Sequence, residues 1–346
     1  AALSYPQRLL VGGKARAQAG GPDANVPTTK PGILSKEAIT LSKEEADSFN
    51  RWSIFPRVFL IQLPPGAVYA WSIWQPPLVT ELGVLAPSAL DWNLGMVAST
   101  FSCLALGFGV AVGGLGPWME RVGPRKAAFV GGGLFGGGHL LSALGCYTHT
   151  LPLIWLGWGI MGGIGWGLGY IAPISPLLRW FPDKKGLATG LSIGAFASGG
   201  LFAAPMIEGL RKAFFRPPVH AGSALDVEAK TEAGRQFVKL EDGWHEAVLA
   251  QAADIAKLPS DLVSQLPEGF YLVGTGDTGC GAAFAALGAA YAASMGFGSL
   301  LLRAPPAGWT PQGFQAPADT STGLIAAGSV SASSAMRTPQ FYLLWL

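Results

Sequence analysis

The sequence predicts an all-α membrane protein with six transmembrane helices and the start of a seventh. Three observations carry that prediction. Six apolar segments, at 56–79, 93–115, 127–147, 152–178, 187–208 and 279–302, each come close to the roughly 20 residues that cross a hydrocarbon core. Charged residues make up only 13% of the 346, about half the roughly 25% of a soluble domain. Lys and Arg concentrate in alternate short loops, as they do where membrane helices are oriented by charge.

Taken in order, residues 1–52 form a polar N-terminal tail without the continuous apolar stretch of a signal peptide or anchor. Residues 53–210 hold transmembrane helices 1 to 5. Within the six spans the only charges are Arg57 and Glu208, both at span ends, so no span carries an unpaired charge at mid-membrane. Residues 211–278 are a polar insertion of mixed charge. Within it, Val248, Ile255, Leu258 and Leu262 recur at helical spacing between Trp244 and Leu266, which predicts one or two amphipathic helices against the membrane or the bundle. A solvated insertion without a functional role fits the same composition. Residues 279–302 are transmembrane helix 6, and 303–335, rich in Pro, Ser, Thr and Gly, read as a central linker. Residues 336–346 turn apolar again and start helix 7, truncated by the end of the chain. With no initiating Met either, the chain is expected to be a fragment.

Several function classes are excluded. A net charge of +2 without a basic stripe argues against nucleic acid. Cys103, Cys146 and Cys280 form no C-x-x-C pair and read as structural thiols. His139, His149, His220 and His245 are scattered without ligand spacing, and no Ser-His-Asp set or phosphate loop is present, so no enzyme, metal or cofactor is expected. The literal Gly-x-Gly-x-x-Gly at Gly131, Gly133 and Gly136 lies inside the third span with no preceding strand, which makes it helix packing rather than a dinucleotide loop. For orientation, Arg121, Arg125 and Lys126 follow the second span and Arg179, Lys184 and Lys185 the fourth, while 80–92 and 147–151 contain no Lys or Arg. The N-terminus and central linker are therefore expected to be cytoplasmic. Arg211, Lys212 and Arg216 run against this, although long insertions weigh less in the rule.

Two loop strings carry more than topology. In G-P-W-M-E-R-V-G-P-R-K, Gly116 to Lys126, Gly123 permits tight chain reversal. Glu120 can pair with Arg121, Arg125 or a neighbouring helix end and so latch one conformation. Positive-inside anchoring explains the cations but not their order with Gly116, Glu120 and Gly123. The string resembles the signature loop between the second and third spans of the major facilitator superfamily, with Glu120 where that family more often has Asp. In R-W-F-P-D-K-K-G-L-A-T-G, Arg179 to Gly190, Pro182 stops the incoming helix and Asp183 is placed to cap the next. This string is similar to the oxalate/formate antiporter family, as are Gly66 to Trp74, Leu301 to Trp309 and Met336 to Trp345.

The resemblance runs from about residue 51 to the end, the insertion excepted. It implies the six-transmembrane-helix N-terminal bundle of a major facilitator fold, working by alternating access against a missing C-terminal six-helix half. It further implies secondary transport of small organic anions, mono- or dicarboxylates such as oxalate, formate, pyruvate or lactate, with an Arg and a Lys of that second half as the anion's cations. A monocarboxylate-carrier-like proton symporter and a non-transporting membrane assembly or sensor protein are the alternatives. Expected partners are the anion and the lipid bilayer.

Transporter sites sit near the midplane, which makes Tyr69, Trp71, Gln75, Tyr170 and Phe196 the candidate substrate contacts. The resemblance places aromatics matching Tyr69 and Tyr170 in the central cavity, and Phe196 where a Tyr can occur. Packing or lipid-facing aromatics are the other reading. Small-residue stripes at Gly159, Gly163 and Gly167, and at Gly186, Gly190, Gly194 and Ser198, predict close helix packing.

Overall fold

The computed structural model describes residues 39–256, 266–314 and 332–343. The expected tail up to residue 38, the linker at 315–331 and the part of the expected seventh helix past 343 lie outside the described residues, as do 257–265, which include Leu258 and Leu262. Helices dominate. A short α1 (Lys43–Ser48), capped by Ser42 and Glu45 in a reciprocal box, leads into α2 (Ile54–Gln62) and α3 (Trp71–Leu78). Then come α4 (Leu94–Gly114), α5 (Gly116–Val122), α6 (Pro124–Tyr147), α7 (Leu151–Trp180) and α8 (Lys185–Phe214). After a small sheet and the single turn α9 (Ala252–Ile255), α10 (Cys280–Leu301) returns through the body. Residues 332–343 hold two short helical turns, Ala332–Ala335 and Pro339–Leu343.

Among the described residues, five helices rather than six are long and apolar enough to cross a membrane: α4, α6, α7, α8 and α10. The first apolar segment departs from the expectation because it is broken. Pro64 and Pro65 end α2 and open a tighter 3-10 stretch, Pro64–Ala70, before α3 resumes, and Pro76 and Pro77 lie inside α3. Proline supplies no backbone N–H to the preceding turn. Inside α7 a π-helical stretch, Trp155–Met161, widens the helix where it crosses α6.

The body holds together through bare backbone contacts. A methyl added to Gly66 would meet Gly199 Cα at 2.8 Å and run into the Phe196 carbonyl, so the 3-10 stretch lies directly on α8. The Gly159, Gly163 and Gly167 stripe of α7 packs on α4, where a methyl on Gly159 would meet Cys103 Cβ at 2.7 Å. The α8 stripe does not pack: Gly186, Gly190 and Gly194 face open space. Between the helices, Trp71 stacks on Trp158 with centroids 4.0 Å apart and Trp74 on Phe284 at 3.8 Å. Large apolar side chains on α4 and α8, such as Leu106, Val110 and Leu201, stay exposed, as helices bathed in lipid require.

The insertion corrects two expectations, since it makes the protein not purely helical and the part from Trp244 to Ala250 is a strand where an amphipathic helix was expected. Strands β1 (His220–Gly222), β2 (Ala229–Glu232), β3 (Arg235–Leu240), β4 (Gly243–Ala250) and β5 (Gly269–Leu272) form one antiparallel sheet ordered β1-β5-β4-β3-β2. Ala233 and Gly234, both at positive φ, make the two-residue turn between β2 and β3, and Glu241 and Asp242 separate β3 from β4. Trp244 and Val248 thus sit on a strand. Among the described residues of that stretch, Ala252–Ile255 coils into a helix. Val248, Ala250 and Tyr271 pack with Val84, Leu85 and Ala86, which seats the sheet on the loop after α3.

Candidate functional site

Three of the five candidate contacts meet. Tyr69 on the 3-10 stretch and Tyr170 on α7 both reach Phe196 on α8, with ring centroids 5.4 and 5.1 Å from it. The crossing at Gly66 and Gly199 makes this possible by bringing the two backbones together within one turn of Tyr69 and Phe196. Phe196 is 6% exposed and Tyr69 61%, so the cluster has a packed floor and an open rim.

Trp71 and Gln75 stand apart. Trp71 points into the bundle core, stacked on Trp158, and Gln75 is half-buried a turn further along α3.

Two residues outside the sequence-based set join the cluster. Trp166 stacks against Phe196 at 5.7 Å and against Phe108 of α4 at 4.0 Å, and its buried indole N–H has no hydrogen-bond partner among the described residues. Its signal was available, since it lies four residues before Tyr170 on one helix face. Gln62, fully buried, donates to the Tyr170 carbonyl at 3.1 Å and accepts from Ser192 at 2.9 Å. It thereby ties α2, α7 and α8 beneath the rings. An amide inside an apolar span was its signal, one that Gln75 of the same span shares. The arrangement offers aromatic faces and one unmet N–H donor, and no cation among these residues.

The signature-like loop lies at one end of the bundle. Gly123 adopts φ 84° between α5 and α6, a conformation open to glycine at little cost. Gly116, Glu120 and Gly123 line a cavity of about 660 Å³ with Thr40, Ser175 and Arg179. Glu120, Arg121 and Lys126 are exposed, and among the described residues Glu120 enters no ion pair. Arg125 turns inward instead, 3% exposed, and donates to the Leu302 carbonyl at 2.7 Å.

The second string works differently from expectation. Asp183 does not cap α8, whose N-cap residue Lys184 makes no capping bond. Its carboxylate accepts both guanidinium N–H groups of Arg51, at 2.6 and 2.9 Å, a bidentate pair that holds it below the usual carboxylate range. Arg179 and Trp180 donate to the carbonyls of Pro305 and Arg303 at 2.8 and 2.9 Å. This end is therefore a knot joining the entry to α2, the loops after α4 and α7, and the exit of α10.

No family model matches the chain. Curated relatives do. The chain is 30% identical over 151 residues to the uncharacterized MFS-type transporter YhjX of Escherichia coli (strain K12), covering 44% of this chain and 35% of that protein. It is 26% identical over 253 residues to apicoplast pyruvate carrier 1 of Toxoplasma gondii, 61% of this chain and 43% of the carrier. With the oxalate:formate antiporter of Oxalobacter formigenes it shares 26% over 164 residues, 47% and 36% of the two chains. The chain spans less than half the length of each. Membrane-length apolar helices together with these matches make the chain an integral multi-pass membrane protein, homologous over part of its length to transporters of the major facilitator type.

Proposed function

We propose that the chain supplies the N-terminal bundle of a secondary carrier for small mono- or dicarboxylates, such as oxalate, formate, pyruvate or lactate, working by alternating access. The observation that carries this reading is the convergence of Tyr69, Tyr170, Phe196 and Trp166, from three separate apolar segments, on one patch with an open rim. The names of two relatives, an oxalate:formate antiporter and a pyruvate carrier, point to the same ligand chemistry. Aromatic edges and an indole N–H orient a small carboxylate but do not neutralise it. The counter-cations are assigned to the second six-helix half, as the resemblance implies.

In this reading the broken segment 54–78 is the first of six spans, and the signature-like end is cytoplasmic. The Glu120 loop, the Arg51–Asp183 pair and the Arg125 contact with Leu302 then brace the cytoplasmic ends of the helices. The exposed Gly186, Gly190 and Gly194 face of α8 is where a second bundle can slide. Residues 303–335 link the halves and 336–346 begin a seventh helix.

The test is counterflow of labelled oxalate, formate, pyruvate and lactate in proteoliposomes holding the full-length protein. Exchange of at least one is expected. Exchange of none, with the protein correctly inserted, rejects the substrate class.

A further inference from the structure

At the end of the bundle opposite Glu120, one carboxylate has no role in the site described above. Glu81, in the loop after α3, is half-buried and accepts a 2.6 Å hydrogen bond from Thr278 Oγ1, a contact across 197 residues of sequence. Thr278 is 3% exposed and sits at the head of α10, where its hydroxyl also accepts from the Cys280 amide at 3.3 Å. A threonine hydroxyl has one proton to give. With that proton given to Glu81 Oε2, Oε1 is the oxygen left to take a further one.

The surroundings are poor in positive charge. Asp91 lies in the same loop, its carboxylate gathering the amides of Leu82, Gly83 and Ser88 at 2.8 to 3.1 Å. Asp277 precedes Thr278, caps Gly279 at 2.7 Å and pairs by backbone with Arg216. Arg211, at the end of α8, is the cation that faces Glu81, yet among the described residues no cation lies within ion-pair distance of it. Cys146 and Tyr147 at the end of α6 and Cys280 on α10 lie within electrostatic reach. Beside the site is a cavity of about 400 Å³ lined by Thr278, Arg211, Glu208 and Asp254.

We propose that Glu81 is a proton-binding site at this mouth of the bundle, and that its proton holds the loop after α3 against the end of α8 and the head of α10. Because Glu81 is only half-buried, solvent supplies the proton that converts carboxylate to carboxylic acid. With the proton bound, Asp91 and Asp277 face a neutral group and the Thr278 bond closes the junction. When the proton leaves, Glu81, Asp91 and Asp277 are all negative against Arg211 and Arg216, and repulsion between like charges opens it. Burial raises the Glu81 carboxyl to about 7, with Asp277 and Asp91 pushing the same way and the Thr278 bond and Arg211 the other. The site therefore exchanges its proton near neutrality. That opening of this mouth gates an anion rests on the carrier reading; the proton site itself does not.

The test uses the purified chain in detergent micelles, so failed transport cannot be mistaken for a missing proton site. Infrared titration is expected to show a protonated-carboxyl stretch lost as pH rises through about 7 and absent from Glu81→Gln. Thr278→Val, which removes the donor to the charged form, moves that midpoint upward. Hydrogen exchange at 82–91 and 277–280, corrected for intrinsic rates, is expected to be slow below the midpoint and faster above it. In Glu81→Gln, permanently neutral, it stays slow at both. No titrating band distinct from Glu81→Gln, a downward shift in Thr278→Val, or fast exchange in Glu81→Gln at both pH values would each overturn the proposal.

Discussion

At the residue scale, polar groups decide how the bundle is braced. Arg51 and Asp183 are each about one-fifth exposed and joined by two hydrogen bonds, enough burial for the pair to contribute where a fully exposed one contributes little. Asp183→Asn is expected to lower stability in detergent by about 1 kcal/mol at neutral pH. The sign with pH follows from the depressed carboxyl: the contribution is present above the ordinary value of 3.8 and is lost as pH falls through the lower folded value. Thermal unfolding of the two proteins should therefore converge in acid, and an equal gap at all pH values contradicts the pairing. Trp166 belongs to the same scale. Trp166→Phe keeps the stack on Phe108 and Phe196 but removes the N–H, and is expected to raise the KM for the transported carboxylate in the full-length protein by about three- to tenfold. An unchanged KM assigns Trp166 to packing alone.

At the scale of elements, two glycines of one helix have opposite surroundings. Gly199 of α8 touches Gly66 and Leu63, whereas Gly190 meets nothing. Gly199→Ala is expected to cost about 1 to 3 kcal/mol through overpacking and to disturb the approach of Tyr69 to Phe196. Gly190→Ala should be neutral or stabilising by up to about 1 kcal/mol, because alanine is the better helix former. Melting temperatures in one detergent compare them, and equal losses would mean that α8 and the 3-10 stretch do not cross as described. The broken first segment has the same logic. Its prolines free backbone groups and position the 3-10 turn that carries Tyr69.

At the scale of the whole molecule, the sheet and the Glu120 loop occupy opposite ends. The sheet packs on the loop after α3, while Arg125, Arg179 and Trp180 gather the other end at 302–305. Leu225, 95% exposed beside the sheet, and Arg121 in the last turn of α5 thus report on opposite sides of the membrane. In a background without Cys103, Cys146 and Cys280, Leu225→Cys should react with an impermeant maleimide added outside intact cells, and Arg121→Cys only after permeabilisation. The reverse pattern inverts the proposed orientation.

What the sequence determined by itself was local. Segment length and apolarity marked the regions that become α4, α6, α7, α8 and α10, since crossing a membrane requires a count of apolar residues within one stretch. Gly123 was legible because its turn needs positive φ. The prolines at 64, 65, 76 and 77 were equally visible, but a count of apolar residues does not register a break in hydrogen bonding. In the insertion, the helical spacing that began at Val248 misplaced that residue, because the pairing of β4 with β3 and β5 holds it on a strand.

Only the tertiary structure decided what meets what. Tyr69, Tyr170 and Phe196 converge because Gly66 lies on Gly199, and Trp71, two residues from Tyr69, turns into the core on Trp158. Asp183 finds Arg51 across 132 residues and Glu81 finds Thr278 across 197. Such pairings depend on how several helices cross at once. That geometry is set by close packing over the whole bundle, and no single stretch of sequence carries it.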